Sequence, residues 1–115
     1  MLETLKSILS IGARRLETKL TSVAGFTGSG SFRYALSPAG SSHYEADLRG
    51  VAGLRCELLA NGEFVSALDC RNGKVAAKFD SRLGDPAIRL DDGDVIEIRQ
   101  NGGVILLGTL AATQV

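Results

Sequence analysis

The residues best suited to chemistry are few. His43 is the chain's only histidine, and in "HYEADL" it is followed at alternate positions by Glu45 and Asp47. Alternate residues of a strand share a face, so the three side chains would form one line with steps of about 7 Å. Histidine with two carboxylates is a familiar metal-ligand set. This spacing does not converge on one ion, and a solvated strand face with Asp47 paired to Arg33 explains the same residues. A second group lies in "DSRLGDPAIRLDDGD" (80–94), which holds Asp80, Asp85, Asp91, Asp92 and Asp94. Ca²⁺ takes about six to eight oxygen ligands, and a loop can gather several carboxylates around it. Asp85, Asp91, Asp92 and Asp94 are the candidate ligands. The EF-hand spacing is absent, Arg82 and Arg89 compete for the carboxylates, and aspartate is also an ordinary turn residue.

A thiol nucleophile would need Cys56 or Cys70 beside His43. No motif flanks either cysteine, and buried core thiols are the plainer reading. With a two-residue loop at Asn61-Gly62, the sulfurs fall on opposite faces. With a three-residue loop they share a face, at best diagonally. Neither register suits a disulfide, and free thiols fit a reducing compartment. The "GFTGSGS" loop (25–31) lacks the Lys-Ser/Thr ending of a phosphate loop and opens no helix. It reads as a strand connection.

These groups sit on an alternating chain of 115 residues, the size of one domain. Lys plus Arg equals Asp plus Glu at 13 each, and aromatics are scarce, with no Trp. No basic surplus and no stacking platform means no nucleic-acid partner is expected. No apolar run is long enough to span a membrane. "MLETLKSILSIGARRLE" has Glu3, Lys6 and Ser7 where a signal peptide would be continuously apolar, so the expected location is cytoplasmic. No cofactor is implied.

Leu2, Leu5, Ile8, Leu9 and Ile11 recur at intervals of three and four, which predicts an amphipathic helix over 1–12. From Arg14 the period changes to two and predicts a strand over 14–23. "SFRYALS" and "HYEADL" flank the turn "PAGSS", and their faces coincide if Leu36 is opposite Tyr44, Phe32 opposite Leu48 and Arg33 opposite Asp47. Asn61-Gly62 and Asn72-Gly73 are two-residue hairpin signals. Around the second, Leu68 would pair with Ala77 and Cys70 with Val75. Strict two-residue loops at both turns would put Arg55 and Glu57 inside while Cys56 and Leu58 faced out. A bulge or a three-residue loop near 61–63 is therefore required. Residues 80–94 cross between sheets. "VIEIRQNGGVILLG" forms the last hairpin and repeats the earlier one at an offset of forty: Glu97 matches Glu57, Asn101 matches Asn61 and Gly102 matches Gly62.

The pattern predicts an all-β fold, an antiparallel sandwich: a meander of seven or eight short strands over 13–115 behind the N-terminal helix. "GSGSFRYALSPAGSSHYEADLRGV" (28–51) resembles the opening of CHRD-type β-sandwich domains. The shared features are a Gly-rich start, a strand, a Pro/Gly turn, then Tyr44, Leu48 and Gly50. "LRCELLANG" stands where that family has a histidine motif, so the resemblance implies a sandwich and carries over no functional residue.

The leading expectation is a non-catalytic module acting by binding or self-assembly. Its interface would be the stripe of Leu2, Leu5, Ile8 and Leu9, which either caps its own domain or packs against copies to give a homo-oligomer. The polar face mixes Glu3 with Lys6, so no membrane partner is expected. A Ca²⁺-dependent binding domain using 80–94 and a small enzyme around His43 are the alternatives.

Overall fold

The computed structural model describes residues 14–113. The expected helix over 1–12, with Leu2, Leu5, Ile8 and Leu9, lies outside the described residues. The rest is antiparallel β-structure: β1 (Arg14–Ser22), β2 (Ser29–Leu36), β3 (Ser42–Arg49), β4 (Arg55–Ala60), β5 (Glu63–Asp69), β6 (Lys74–Asp80), β7 (Val95–Gln100), β8 (Gly103–Thr109) and the short β9 (Ala111–Ala112). One turn of 3₁₀ helix, Ser81–Leu83, follows β6. The hydrogen bonds run without a break in the order β5-β4-β7-β8-β1-β2-β3-β6, with β9 pairing to β1 off this path. The result is a single sheet rolled until it is nearly closed, like a barrel. Its inner face collects one side of every long strand, including Leu16, Phe32, Tyr44, Leu58, Ile98 and Leu106, into one core.

Only β1-β2-β3 is a meander. The β5–β6 hairpin expected at Asn72-Gly73 is reduced to one bridge, between Arg71 and Lys74. Leu68 lies opposite Cys56 rather than Ala77, and Val75 lies opposite Leu48 rather than Cys70. β6 instead pairs along β3 from His43 to Arg49. The turn sets the reversal of the chain, but the longer ladder on β3 decides which strand β6 joins. β5 and β6 are therefore the two edges of the sheet, adjacent in sequence and joined only at one end.

The β2–β3 register also differs from the expected one. Tyr34 pairs with Tyr44, Phe32 with Ala46 and Arg33 with Glu45, a shift of two residues that keeps every side chain on its face. The connection is tighter than expected. Ser37 N–H donates to Ser41 O at 2.9 Å, the two Oγ atoms are 2.8 Å apart, and Leu36 pairs with Ser42. Apolar alternation cannot tell registers two residues apart.

The conflict at Asn61-Gly62 is resolved by a bulge. Ala60 pairs with Glu63 and Leu59 with Phe64, but Leu58 pairs with Ser66, so Val65 is the extra residue. That slip turns Cys56 and Leu58 inward. The last hairpin repeats the device forty residues on: Ile98 pairs with Leu106, and Ile105 is extra. Asn61 and Asn101 have φ of 51° and 53°, as a type I′ turn requires. Leu58 and Ile98, equivalent by the offset, lie opposite each other across the β4–β7 ladder, and Glu57↔Arg99 is mirrored by Leu59↔Glu97. The two hairpins are thus related by a local two-fold axis between Leu58 and Ile98.

β8 leaves β1 after pairing at Thr21 and Ser22, and β9 rejoins it at Leu16 and Glu17. Gly108 sits in the gap. A Cβ there would lie 2.6 Å from both Lys19 O and Thr18 Oγ1. Overpacking of this kind costs about 1–3 kcal/mol, so Gly108→Ala should lower the urea midpoint at unchanged m-value. An unaltered midpoint would show that β8 does not need this close approach.

Candidate functional site

The sequence candidates separate when placed on the sheet. His43, Glu45 and Asp47 line the outer face of β3. Glu45 stands in a row of alternating charge, Glu17–Arg33–Glu45–Lys78, contributed by four neighbouring strands. Arg33 Nη1 lies 3.6 Å from Glu45 Oε1. Asp47 pairs with Ser31 and Ala76 rather than with Arg33. His43 lies opposite Asp80, its Nδ1 3.8 Å from Oδ2. A shallow hollow of about 400 Å³ opens on this face, lined by Arg15, Arg33, Ala35, His43 and Glu45 among others. Its charges are mixed.

Cys56 and Cys70 lie on the inner face, both buried and free, with sulfurs 3.7 Å apart. The loop has two residues, yet the bulge puts both thiols on one face, diagonally placed. Burial first, and the Cys70 thiol second, push the Cys56 thiol well above its ordinary pKa. His43 is on the opposite face of the sheet, so the structure forms no Cys–His pair.

The acidic loop becomes a strap across one end of the barrel, running from the end of β6 to the start of β7. Two of its carboxylates serve the strap's own turns. Asp85 Oδ2 accepts from Asp80 N–H at 2.8 Å, and Asp94 Oδ2 accepts from Asp91 N–H at 2.7 Å. Asp91 pairs with Arg14, while Asp92 is exposed in the turn between. Among the described residues, no group of three or more His, Cys, Asp or Glu is placed to hold a metal ion.

Asp80 anchors the start of the strap. Its carboxylate accepts from Arg82 N–H at 2.9 Å, Nε at 3.1 Å and Nη2 at 2.8 Å. These Arg82 hydrogen bonds hold its pKa down at about 2. The remaining anchors come from residues that the sequence pattern marked only as core. Tyr34 Oη donates to Ile88 O at 2.7 Å and accepts from Leu90 N–H at 3.2 Å. Tyr44 Oη donates to Pro86 O at 3.0 Å. Ser42 Oγ accepts from Ile88 N–H at 3.1 Å. The available signal was two inward-facing tyrosines, whose hydroxyls need partners when buried, together with a long polar connection. Burial raises the pKa of both tyrosines.

Where the strap passes β5 it leaves a groove of about 320 Å³. Phe64, Val65, Ile88 and Leu90 supply apolar walls, and Glu63 and Arg89 stand at the same groove. Phe64 is 59% exposed, whereas Leu90 is only 4% exposed. Among the described residues β5 is a sheet edge, so the groove runs beside a strand that none of them pairs on its outer side. None of the apolar residues of this groove was singled out by sequence. No protein-family model matches the chain, and no curated protein is found to be similar to it.

The depressed Asp80 pKa has a defined sign. Its folded value lies below the unfolded value of about 3.9, so it stabilises the fold above about pH 4. That stabilisation is lost as pH falls towards 2. Asp80→Asn should therefore destabilise the protein at neutral pH, and the gap between wild type and variant should narrow steadily on acidification. Urea midpoints against pH measure this directly. A gap independent of pH would mean that the carboxylate charge is not the anchor.

Proposed function

We propose that the chain is a non-catalytic module that works by binding or self-assembly, with the groove beside β5 as its working surface. The observation that carries this reading is Phe64: a large apolar side chain, mostly exposed, beside a strand edge that no described residue pairs, in one groove with the apolar Val65, Ile88 and Leu90. An exposed edge offers backbone donors and acceptors to an added strand, and an apolar pocket beside it gives side-chain selectivity. The rolled sheet acts as a sandwich-like scaffold. Its β1-β2-β3-β6 half turns a charged outer face to solvent, and both halves contribute to one core. The stripe of Leu2, Leu5, Ile8 and Leu9 is the second apolar element and the candidate for assembly into a homo-oligomer. Two free, buried thiols accord with a cytoplasmic setting.

A chain starting at Ala13 removes the stripe and leaves the groove. It should bind an apolar fluorescent dye and show a light-scattering mass above that of a monomer. Phe64→Asp, an exposed position, should lower both signals without shifting the melting temperature much. Monomeric mass together with dye binding indifferent to Phe64→Asp would make the groove inert surface and end this reading.

A further inference from the structure

The strap covers the end of the barrel where β3 begins and β6 ends. The other end, where β3 ends and β6 begins, has a different chemistry. Its last outer row across the sheet is Thr21–Ser29–Arg49–Lys74, and the single bridge at the Asn72-Gly73 turn extends the row to Arg71. All five side chains are exposed. Each row behind it contains an acid: Asp47 in the first, Glu17 and Glu45 in the second, Asp80 in the third. This row has none, and among the described residues none of its three cations forms an ion pair. Like charges directly opposite each other destabilise a sheet, so folding alone does not explain Arg49 against Lys74 against Arg71. Local rules broken in this way mark functional positions.

Two apolar side chains stand at the same end. Leu54 is 84% exposed, and its carbonyl accepts from Cys70 N–H at 2.9 Å, one residue before Arg71. Phe26 is 49% exposed. It precedes by two residues Gly28, which is packed so closely on β3 that a Cβ there would lie 2.8 Å from Arg49 O. Phe26 thus belongs to the Ser29 side of the row and Leu54 to the Arg71 side. Cations and hydroxyls are donors suited to phosphate. A free phosphate would use the row but not the apolar tips. A lipid surface uses both, with headgroups on the cations and the tips at the acyl boundary. The net charge of zero hides the row, because five of the chain's acids lie in residues 80–94 at the far end.

We propose that this end of the barrel docks on an anionic phospholipid surface, with Arg49, Arg71 and Lys74 on the headgroups and Leu54 and Phe26 in the interface. The groove beside β5 lies at the strap end, so the two surfaces are separate. The expectation of no membrane partner rests on the polar face of residues 1–12 and does not concern this surface.

Sedimentation of the full chain with vesicles tests the proposal. Phosphatidylcholine vesicles containing phosphatidylserine should retain the protein at low salt and release it as ionic strength rises. Vesicles of phosphatidylcholine alone should not retain it. Arg71→Gln with Lys74→Gln should weaken retention by about tenfold or more, while the melting temperature holds or rises because like charges are gone. Arg49→Gln, on another strand, repeats the test should the double variant fail to fold. Leu54→Ser should weaken retention at unchanged melting temperature. No retention on anionic vesicles, equal retention on neutral ones, or retention indifferent to the cation substitutions would each overturn the proposal. So would an unaffected Leu54→Ser, because the row would then be a general anion site. Competition by inorganic phosphate or by soluble polyglutamate would say whether a free phosphate or an acidic peptide is its ligand.

Discussion

Two tyrosine hydroxyls hold the strap in place, and the site depends on where the strap lies. The sheet is nearly closed, but its edge strands β5 and β6 do not zip together, and the end of the barrel they border must be covered. Residues 81–94 do this by crossing from β6 to β7. A crossing segment brings backbone amides and carbonyls over an apolar core, where an unpaired group costs about 1–3 kcal/mol. Tyr34 Oη satisfies both Ile88 O and Leu90 N–H, while Tyr44 Oη satisfies Pro86 O. Both hydroxyls reach the strap because the two residues are direct neighbours across the β2–β3 ladder. Of the registers that alternation allows, the one found is the one that puts the tyrosines side by side. Tyr44 stacks on Phe79 at 4.8 Å, tying the same array to the edge strand β6.

Once the strap is fixed, the groove follows. Ile88 and Leu90 are held against the core, and the start of β5 lies on their far side with the Val65 bulge beside them. The bulge therefore has two effects. It turns Cys56 and Leu58 into the core, and it puts the extra residue, Val65, in the wall of the groove. Asp85 and Asp94 shape the strap's turns and Asp91 pairs with Arg14, so three of its four carboxylates have architectural partners.

Much of the architecture was legible in the sequence because it is written locally. Asn61-Gly62 and Asn101-Gly102 specify reversals through positive φ, and alternation identifies the strands around them. The need for a bulge could be read from Arg55 and Glu57 falling on the wrong face. Its location at Val65 could not, since any odd slip between 58 and 66 restores the faces. The pairing of β6 with β3 was hidden for a related reason: Asn72-Gly73 marks a turn but does not say that its two arms stay together. The β2–β3 register was ambiguous by two residues, and only the long-range bonds of Tyr34 and Tyr44 resolve it. The groove was not legible at all. It arises where residues 88–90 approach 60–65, and neither segment carries a pattern that announces the other. His43, Glu45 and Asp47 were correctly placed on one outer face, while the cysteines lie on the other side of the sheet.

The most direct test of this account is amide hydrogen exchange at Leu90 in Tyr34→Phe. Removing the Oη leaves the buried Leu90 N–H without its acceptor. Leu90 should exchange faster by about tenfold or more, the effect of roughly 1.4 kcal/mol or above, while the sheet amides of Leu48 and Ile98 change much less. Unchanged protection at Leu90, or a loss no larger than that of the sheet amides, would contradict it, because the strap would then be held by something other than the tyrosine.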